Sequence, residues 1–295
     1  MVKNYNFGIE IEAVTKPYGG GERFTNSDWY RQLAQKLRNR GISAVHDDCS
    51  KYSKHPEYYG GKWFVTRDGS LKRPRPYVCM EVVSPKLDTT QPVSHIISDF
   101  WEAMHVHFKP VRDSSCGGHV HVTPVSLKDK FSFKDLKKIA FATAVQSVGA
   151  GIRETFLLYG QDRKLALRNV AAEIKSKTTK ADLYYYMQGN RYVLWNFQNI
   201  FTNPKTGRCT GTVEFRGGNQ FLNTKGTLAW VAFVLGFITL ALDDDLSSTL
   251  ESYTSSTDPK FEKRLREWWR RIRRAARKPQ MSRHLPKSYL DMHTR

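Results

Sequence analysis

This 295-residue chain is poor in acid, with 28 Asp+Glu against 47 Lys+Arg and a formal net charge of +19. Its four cysteines, Cys49, Cys79, Cys116 and Cys209, are irregularly spaced and form no Cys-x-x-Cys. That argues against a disulfide framework and leaves a zinc ribbon unsupported, so reduced thiols in the cytoplasm are the expectation. No apolar run of signal-peptide length follows Met1, and acids arrive at Glu10 and Glu12, so no secretory signal is expected. The Gly19-Gly20-Gly21 run lacks the Gly-Lys-Ser/Thr that would complete a phosphate-cradling loop. There is no obvious Ser–His–Asp or Cys–His nucleophile signature. Leu228 to Leu242 is fifteen uncharged residues, bounded by Lys225 and by Asp243, Asp244 and Asp245. It falls short of the roughly 20 residues that cross a hydrocarbon core, so a buried core helix is expected rather than a membrane span.

What is present is ample material for a core. Hydrophobic residues make up 40% and aromatics 13% of the chain, which rules out a disordered polymer. The positive charge calls for an anionic partner: nucleotide phosphate, nucleic acid, acidic peptide or membrane surface. Hydrophobic periodicity predicts strands at Phe7–Val14, Ile42–His46, Trp63–Arg67, Val78–Ser84, His119–Thr123, Arg191–Phe197 and Thr210–Arg216. Helices are predicted from Asp28 to about Asn39 with Ser27 as cap, over Pro92–Phe108, and from a Ser132/Asp135 cap to about Leu158. Further helices fit Lys164–Lys175, Ala181–Met187, the apolar stretch above and Lys260–Lys278. Val111–Gly118 reads as a turn and the last seventeen residues as a tail. Strands scattered between helices give an α+β class.

Three strands each carry two reactive side chains on one face, because residues i and i+2 project together. They are Glu10 with Glu12, His119 with His121, and Glu214 with Arg216, and a fourth strand adds Glu81 among Val, Cys and Met. Each strand alone reads equally as a solvated face over a packed one. Together they are unusual, since a solvated face in so basic a chain should show Lys, Arg, Thr and Ser. Carboxylates brought together repel unless cations lie between them. Oxygen-rich sites with few imidazoles suit Mg²⁺ or Mn²⁺, and an arginine beside them balances an anionic substrate or a transferring phosphoryl group. Ser114 to Gly118, small and flexible, lets backbone approach a ligand just before the His-x-His strand.

At these residues the sequence resembles the amidoligase family, relatives of glutamine synthetase and glutamate–cysteine ligase. The matching pieces are GIEIE (Gly8–Glu12), WFVTRDGSL (Trp63–Leu71), MEVVSP (Met80–Pro85), SCGGHVHV (Ser115–Val122), RYVLWN (Arg191–Asn196) and GTVEFR (Gly211–Arg216), in the family's order. The resemblance implies a curved, mainly antiparallel sheet with helices on its outer face, as in the glutamine synthetase catalytic domain. It implies ATP-dependent carboxylate–amine ligation, in which a carboxylate is phosphorylated and an amine displaces the phosphate to give an amide. Glu10, Glu12, Glu81, His119 and Glu214 then match ligands of Mg²⁺ (or Mn²⁺), two or more ions. His121 matches a nucleotide-phosphate contact, and Arg216 a contact to the substrate carboxylate or transferred phosphate. Glu10, Glu214 and Arg216 are the catalytic set. Lys62, Asp68 and Asn196 fall in family-like motifs as pocket residues. The family's mid-chain arginine is Arg163 or Arg168, with Arg163 taken for the nucleotide side. Gly118 stands where Leu or Met is common. Residues 1–245 would be the catalytic domain, 246–259 a linker or loop, and 260–295 a basic helix and tail.

Lys260 to Lys278 lies outside the resemblance and carries ten basic and two acidic residues. Leu265, Trp268, Trp269 and Ile272 give it one apolar stripe. It reads as a helix docked by its aromatics with solvated arginines, or as a surface for nucleic acid, an anionic membrane or an acidic substrate. The expected partners are a carboxylate and an amine, at least one anionic or a peptide or protein, with nucleic acid a further candidate. A metal-dependent phosphodiesterase or nuclease, and a non-catalytic nucleic-acid-binding protein on the same scaffold, are the competing functions.

Overall fold

The computed structural model describes residues 3–19, 24–48, 60–126, 129–149, 167–188, 193–202, 207, 209–243 and 261–292. The fold is α+β, with an open, mixed and mostly antiparallel sheet. The chain divides into two compact units: an N-terminal unit of residues 6–120 and 218–230, and a C-terminal unit of residues 1–5, 121–217 and 231–292.

In the N-terminal unit the central strand is β1 (Tyr5–Pro17), thirteen residues and longer than its sequence pattern. It pairs antiparallel with β4 (Val78–Val83), which pairs with β3 (Trp63–Thr66), which pairs in parallel with β2 (Ala44–His46). The short β5 (Leu87–Asp88) joins one end of β1, and β6 (Phe108–Val111) joins the other. The expected turn is present over residues 112–116, with β6 ending at Val111 before it and β7 (Gly117–Pro124) starting after it. Two helices belong here, α1 (Asn26–Asn39) and α2 (Val93–His107). The cap of α1 is Thr25, not Ser27. Thr25 Oγ1 accepts from the Asp28 amide, and the Asp28 carboxylate accepts from the Thr25 amide. The acid three residues on, Asp28, completes a capping box with Thr25.

The register separates the two faces of this sheet. Ile11 stands opposite Val82, and Val65 opposite Val82 on its other side. That row is buried, and on the same face of β3 Trp63 stacks on Phe100 of α2, ring centroids 4.3 Å apart. Glu12 opposite Glu81, itself opposite Thr66, therefore lies on the face turned away from Trp63 and α2.

In the C-terminal unit, β9 (Val213–Asn219) pairs with β8 (Trp195–Asn196), a two-residue strand where a longer one was expected. Trp195 lies opposite Phe215, and both pack on α6 (Thr224–Asp243), against Phe237 and Phe233. Asn196 and Glu214, also opposite one another, take the other face. Helices α3 (Phe133–Gly149), α4 (Leu167–Ser176) and α5 (Lys180–Met187) complete this unit with α7 (Phe261–Ala275). The expected extension of α3 to Leu158 and the linker 246–259 lie outside the described residues. By length and composition α6 could cross a membrane, but 89% of its most apolar window is buried, as expected of a core helix. The expected tail is packed instead: Met281, Leu285 and Met292 are buried, and Trp269 Nε1 donates to the Pro286 carbonyl at 3.2 Å.

Candidate functional site

The alternation of β1 buries Ile9, Ile11 and Ala13 completely and sends Glu10 and Glu12 to the opposite face. On that face of the N-terminal unit four ionisable groups come together. Glu12 and Glu81 are both buried and stand directly across from one another on paired strands. Opposite residues in such a pair have Cβ atoms about 5 Å apart, and like charges there repel. Beside them His119 is buried with both ring nitrogens turned to carboxylates. Nδ1 lies 2.9 Å from Glu10 Oε2, and Nε2 lies 3.7 Å from Glu12 Oε1. An ionised Glu10 makes Nδ1 the donor, which sets the tautomer with its lone pair on Nε2, towards Glu12. The Glu12 carboxylate is fixed from its other oxygen, which accepts the Gly117 amide at 2.6 Å.

Gly117 shapes the space between these ligand atoms. A Cβ there would lie 3.3 Å from His119 Nε2 and 3.5 Å from Glu12 Oε2, so its absence leaves a cradle bounded by an imidazole nitrogen and a carboxylate. Oxygens from several carboxylates with a single imidazole are the donor set of a hard divalent cation. The row of polar groups also runs further than the motifs. Thr66, opposite Glu81, donates to Asp47 Oδ2 at 3.1 Å, and Asp47 is itself buried. Asp47 carries no motif of its own; only its burial at the end of β2 reveals it.

In the C-terminal unit Glu214 is held at both oxygens. Asn196 Nδ2 donates to Oε2 at 2.7 Å, and Arg216 donates to Oε1 at 2.5 Å. His121 Nε2 is 3.7 Å from the same Oε1, with its Nδ1 3.3 Å from Thr212 Oγ1. Behind Asn196 lies Gln188, 1% exposed at the end of α5. Its Nε2 donates to Asn196 Oδ1 at 2.7 Å, while its Oε1 accepts the Phe197 amide at 2.6 Å. Asn196 Oδ1 also accepts the Gln198 amide at 2.9 Å. Every polar atom of the Asn196 amide is thus oriented, with Nδ2 aimed at Glu214. Gln188 bore no sequence signal, because its link to Asn196 exists only once α5 and β8 are packed.

Lys62 is exposed, immediately before β3. Asp68 accepts from the backbone and hydroxyl of Ser70 in a local turn. Arg163 lies outside the described residues, and Arg168 is described only as part of α4. A Cβ on Gly118 would meet the Phe221 ring at 2.3 Å, so Phe221 fills the space that Leu or Met would take. Cys116, next to Gly117, is buried with Val14, Leu71 and Cys79, and burial pushes its thiol up to about 12.

No curated protein matches the chain. Residues 3–147 match the family model described as "Putative amidoligase enzyme". That span carries Glu10, Glu12, Glu81, His119 and His121, and over it the chain is similar to the family that its motifs resemble.

Proposed function

We propose that this protein is an ATP- and Mg²⁺-dependent carboxylate–amine ligase that forms an amide through an acyl phosphate. The family match supports a ligase-type enzyme. The observation that carries the finer reading is the pair of buried carboxylates, Glu12 and Glu81, facing each other beside Glu10 and His119. Such a cluster is costly in the absence of a cation or a proton.

In this reading Glu10, Glu12, Glu81, His119 and Glu214 hold the divalent cations, Mg²⁺ or Mn²⁺. When bound, these ions neutralise phosphate oxygens and align the γ-phosphoryl group for in-line transfer. The chain's own residues do the rest. Arg216, steadied by Glu214, offsets charge on the transferring phosphoryl group or binds the acceptor carboxylate. His121 contacts nucleotide phosphate, with Lys62 and Arg163 as further nucleotide contacts. Asn196, expected as a nucleotide-side residue, also orients Glu214 through one of its two N–H groups. The substrate carboxylate oxygen takes the γ-phosphoryl group and ADP leaves. An amine then attacks the acyl carbon, and phosphate departs with the oxygen it gained.

That oxygen supplies the test. An ¹⁸O-labelled carboxylate should yield ¹⁸O-phosphate, with ADP released over many turnovers only when acid, amine, ATP and Mg²⁺ are all present. Glu10→Gln and Glu214→Gln should abolish turnover with the far-ultraviolet circular dichroism unchanged. Undiminished turnover in both would remove these residues from the site. Divalent-metal-dependent cleavage of DNA or RNA without ATP would replace the proposal with a nuclease.

A further inference from the structure

The basic segment docks through one face and displays another. On α7, Trp268, Trp269 and Ile272 are buried within the C-terminal unit, Trp269 against Phe233 and Trp268 against Phe237, each at 6.2 Å. The apolar stripe is therefore consumed by the core and is not available to sink into a bilayer. On the opposite side Lys263, Arg266, Arg270 and Arg274 are all exposed, as is Arg277 in the turn just past the end of α7. The spacing of three and four residues places the four helical ones in one row, about 17 Å long at about 1.5 Å per residue, and Arg277 follows it. Arg266 pairs with Glu262 and Arg270 with Glu267, both at 2.9 Å. Among the described residues no carboxylate lies within ion-pair distance of Lys263, Arg274 or Arg277. Residues 261–292 hold eleven Lys and Arg against three acids, so the row sits in a strongly positive part of the chain.

We infer that this row is a binding surface for the phosphate backbone of duplex nucleic acid, without sequence preference. A helical row of cations, one ammonium followed by guanidinium groups, suits a stiff polyanion whose charges recur at short, regular intervals. Guanidinium also accepts the bidentate geometry that phosphate offers, and seven of the ten basic residues in 260–278 are Arg. The inference stands on α7 and the turn that follows it and does not depend on the ligase reading.

Fluorescence anisotropy with two labelled 20-base-pair duplexes of unrelated sequence tests it on the full chain. If all five cations engage phosphates, log K should fall with log salt at a slope of about −4.5. Affinity for both duplexes should then drop about 500-fold between 50 and 200 mM salt. The triple substitution Arg270→Ala, Arg274→Ala, Arg277→Ala removes three contacts, and its loss over that range should shrink to about tenfold. These side chains are exposed, so circular dichroism and melting should stay as in the parent. Equal slopes for parent and triple variant would overturn the inference. So would no binding at 50 mM salt, or binding confined to polyglutamate or to phosphatidylserine vesicles run in parallel.

Discussion

Replacing Asn196 by Asp tests how Glu214 is held, and the structure sets the size of the effect. The substitution is nearly isosteric. The retained oxygen still accepts from Gln188 and from the Gln198 amide, but the donor 2.7 Å from Glu214 Oε2 becomes a second carboxylate oxygen. A hydrogen bond to a charged group contributes about 1.5–3 kcal/mol, and here it turns into a repulsion between buried groups. Unfolding entropy near 2.1 cal/mol/K per residue over 295 residues makes this a fall in Tm of about 2–5 °C. The sign with pH follows from the pair. Two facing carboxylates hold a proton more tightly folded than unfolded, so the deficit is full at pH 8. It shrinks as pH falls and one member is protonated, which restores a donor. If Glu214 serves a divalent cation, Mg²⁺ should recover part of the loss at pH 8, and K⁺ at equal ionic strength should not. Thermal melts of parent and variant at pH 5 and pH 8 decide it. A variant that melts with the parent at pH 8, or a deficit indifferent to pH, would refute the reasoning.

Three further outcomes are expected. Gly117→Ala places a methyl 3.3 Å from His119 Nε2 and should weaken Mn²⁺ binding about tenfold by calorimetry, with little change in Tm. With a disulfide thiol reagent at pH 8, Cys209 should react in the native protein, while Cys116 and Cys79, their thiols pushed up by burial, should wait for unfolding; peptide mapping of the labelled sites checks this. Partial burial pushes the Asp243 carboxyl up, but its hydrogen bonds to Lys278 and Lys3 outweigh that and hold it below the usual range. Its contribution is therefore present above about pH 4 and lost below it, and Asp243→Asn should flatten the acid limb of a stability–pH curve.

Much of this was legible because strands broadcast their faces. Glu-x-Glu, His-x-His and Glu-x-Arg each declare a shared side, and the strands carrying them fall where the alternation put them. What the alternation does not contain is the partner across the sheet. That Glu12 meets Glu81, and that Thr66 hands the row on to Asp47, depends on register between segments tens of residues apart. The start of α1 was misplaced because Ser and Thr cap about equally well, and only the position of Asp28 distinguishes them. β6 escaped because Pro110 breaks a strand pattern, yet it lies on a short strand paired at the end of β1, where proline is tolerated. Gln188 escaped for a stronger reason: a glutamine at a helix end has no signature until its amide is needed elsewhere. The charge was the most misleading cue. In so basic a chain the informative residues are the few acids kept out of solvent, since burying Glu12, Glu81 and Glu214 carries a desolvation cost that an exposed arginine does not incur. A cation between them would offset that cost on the faces turned away from the packed aromatics, whereas the exposed arginines of α7 carry no such cost.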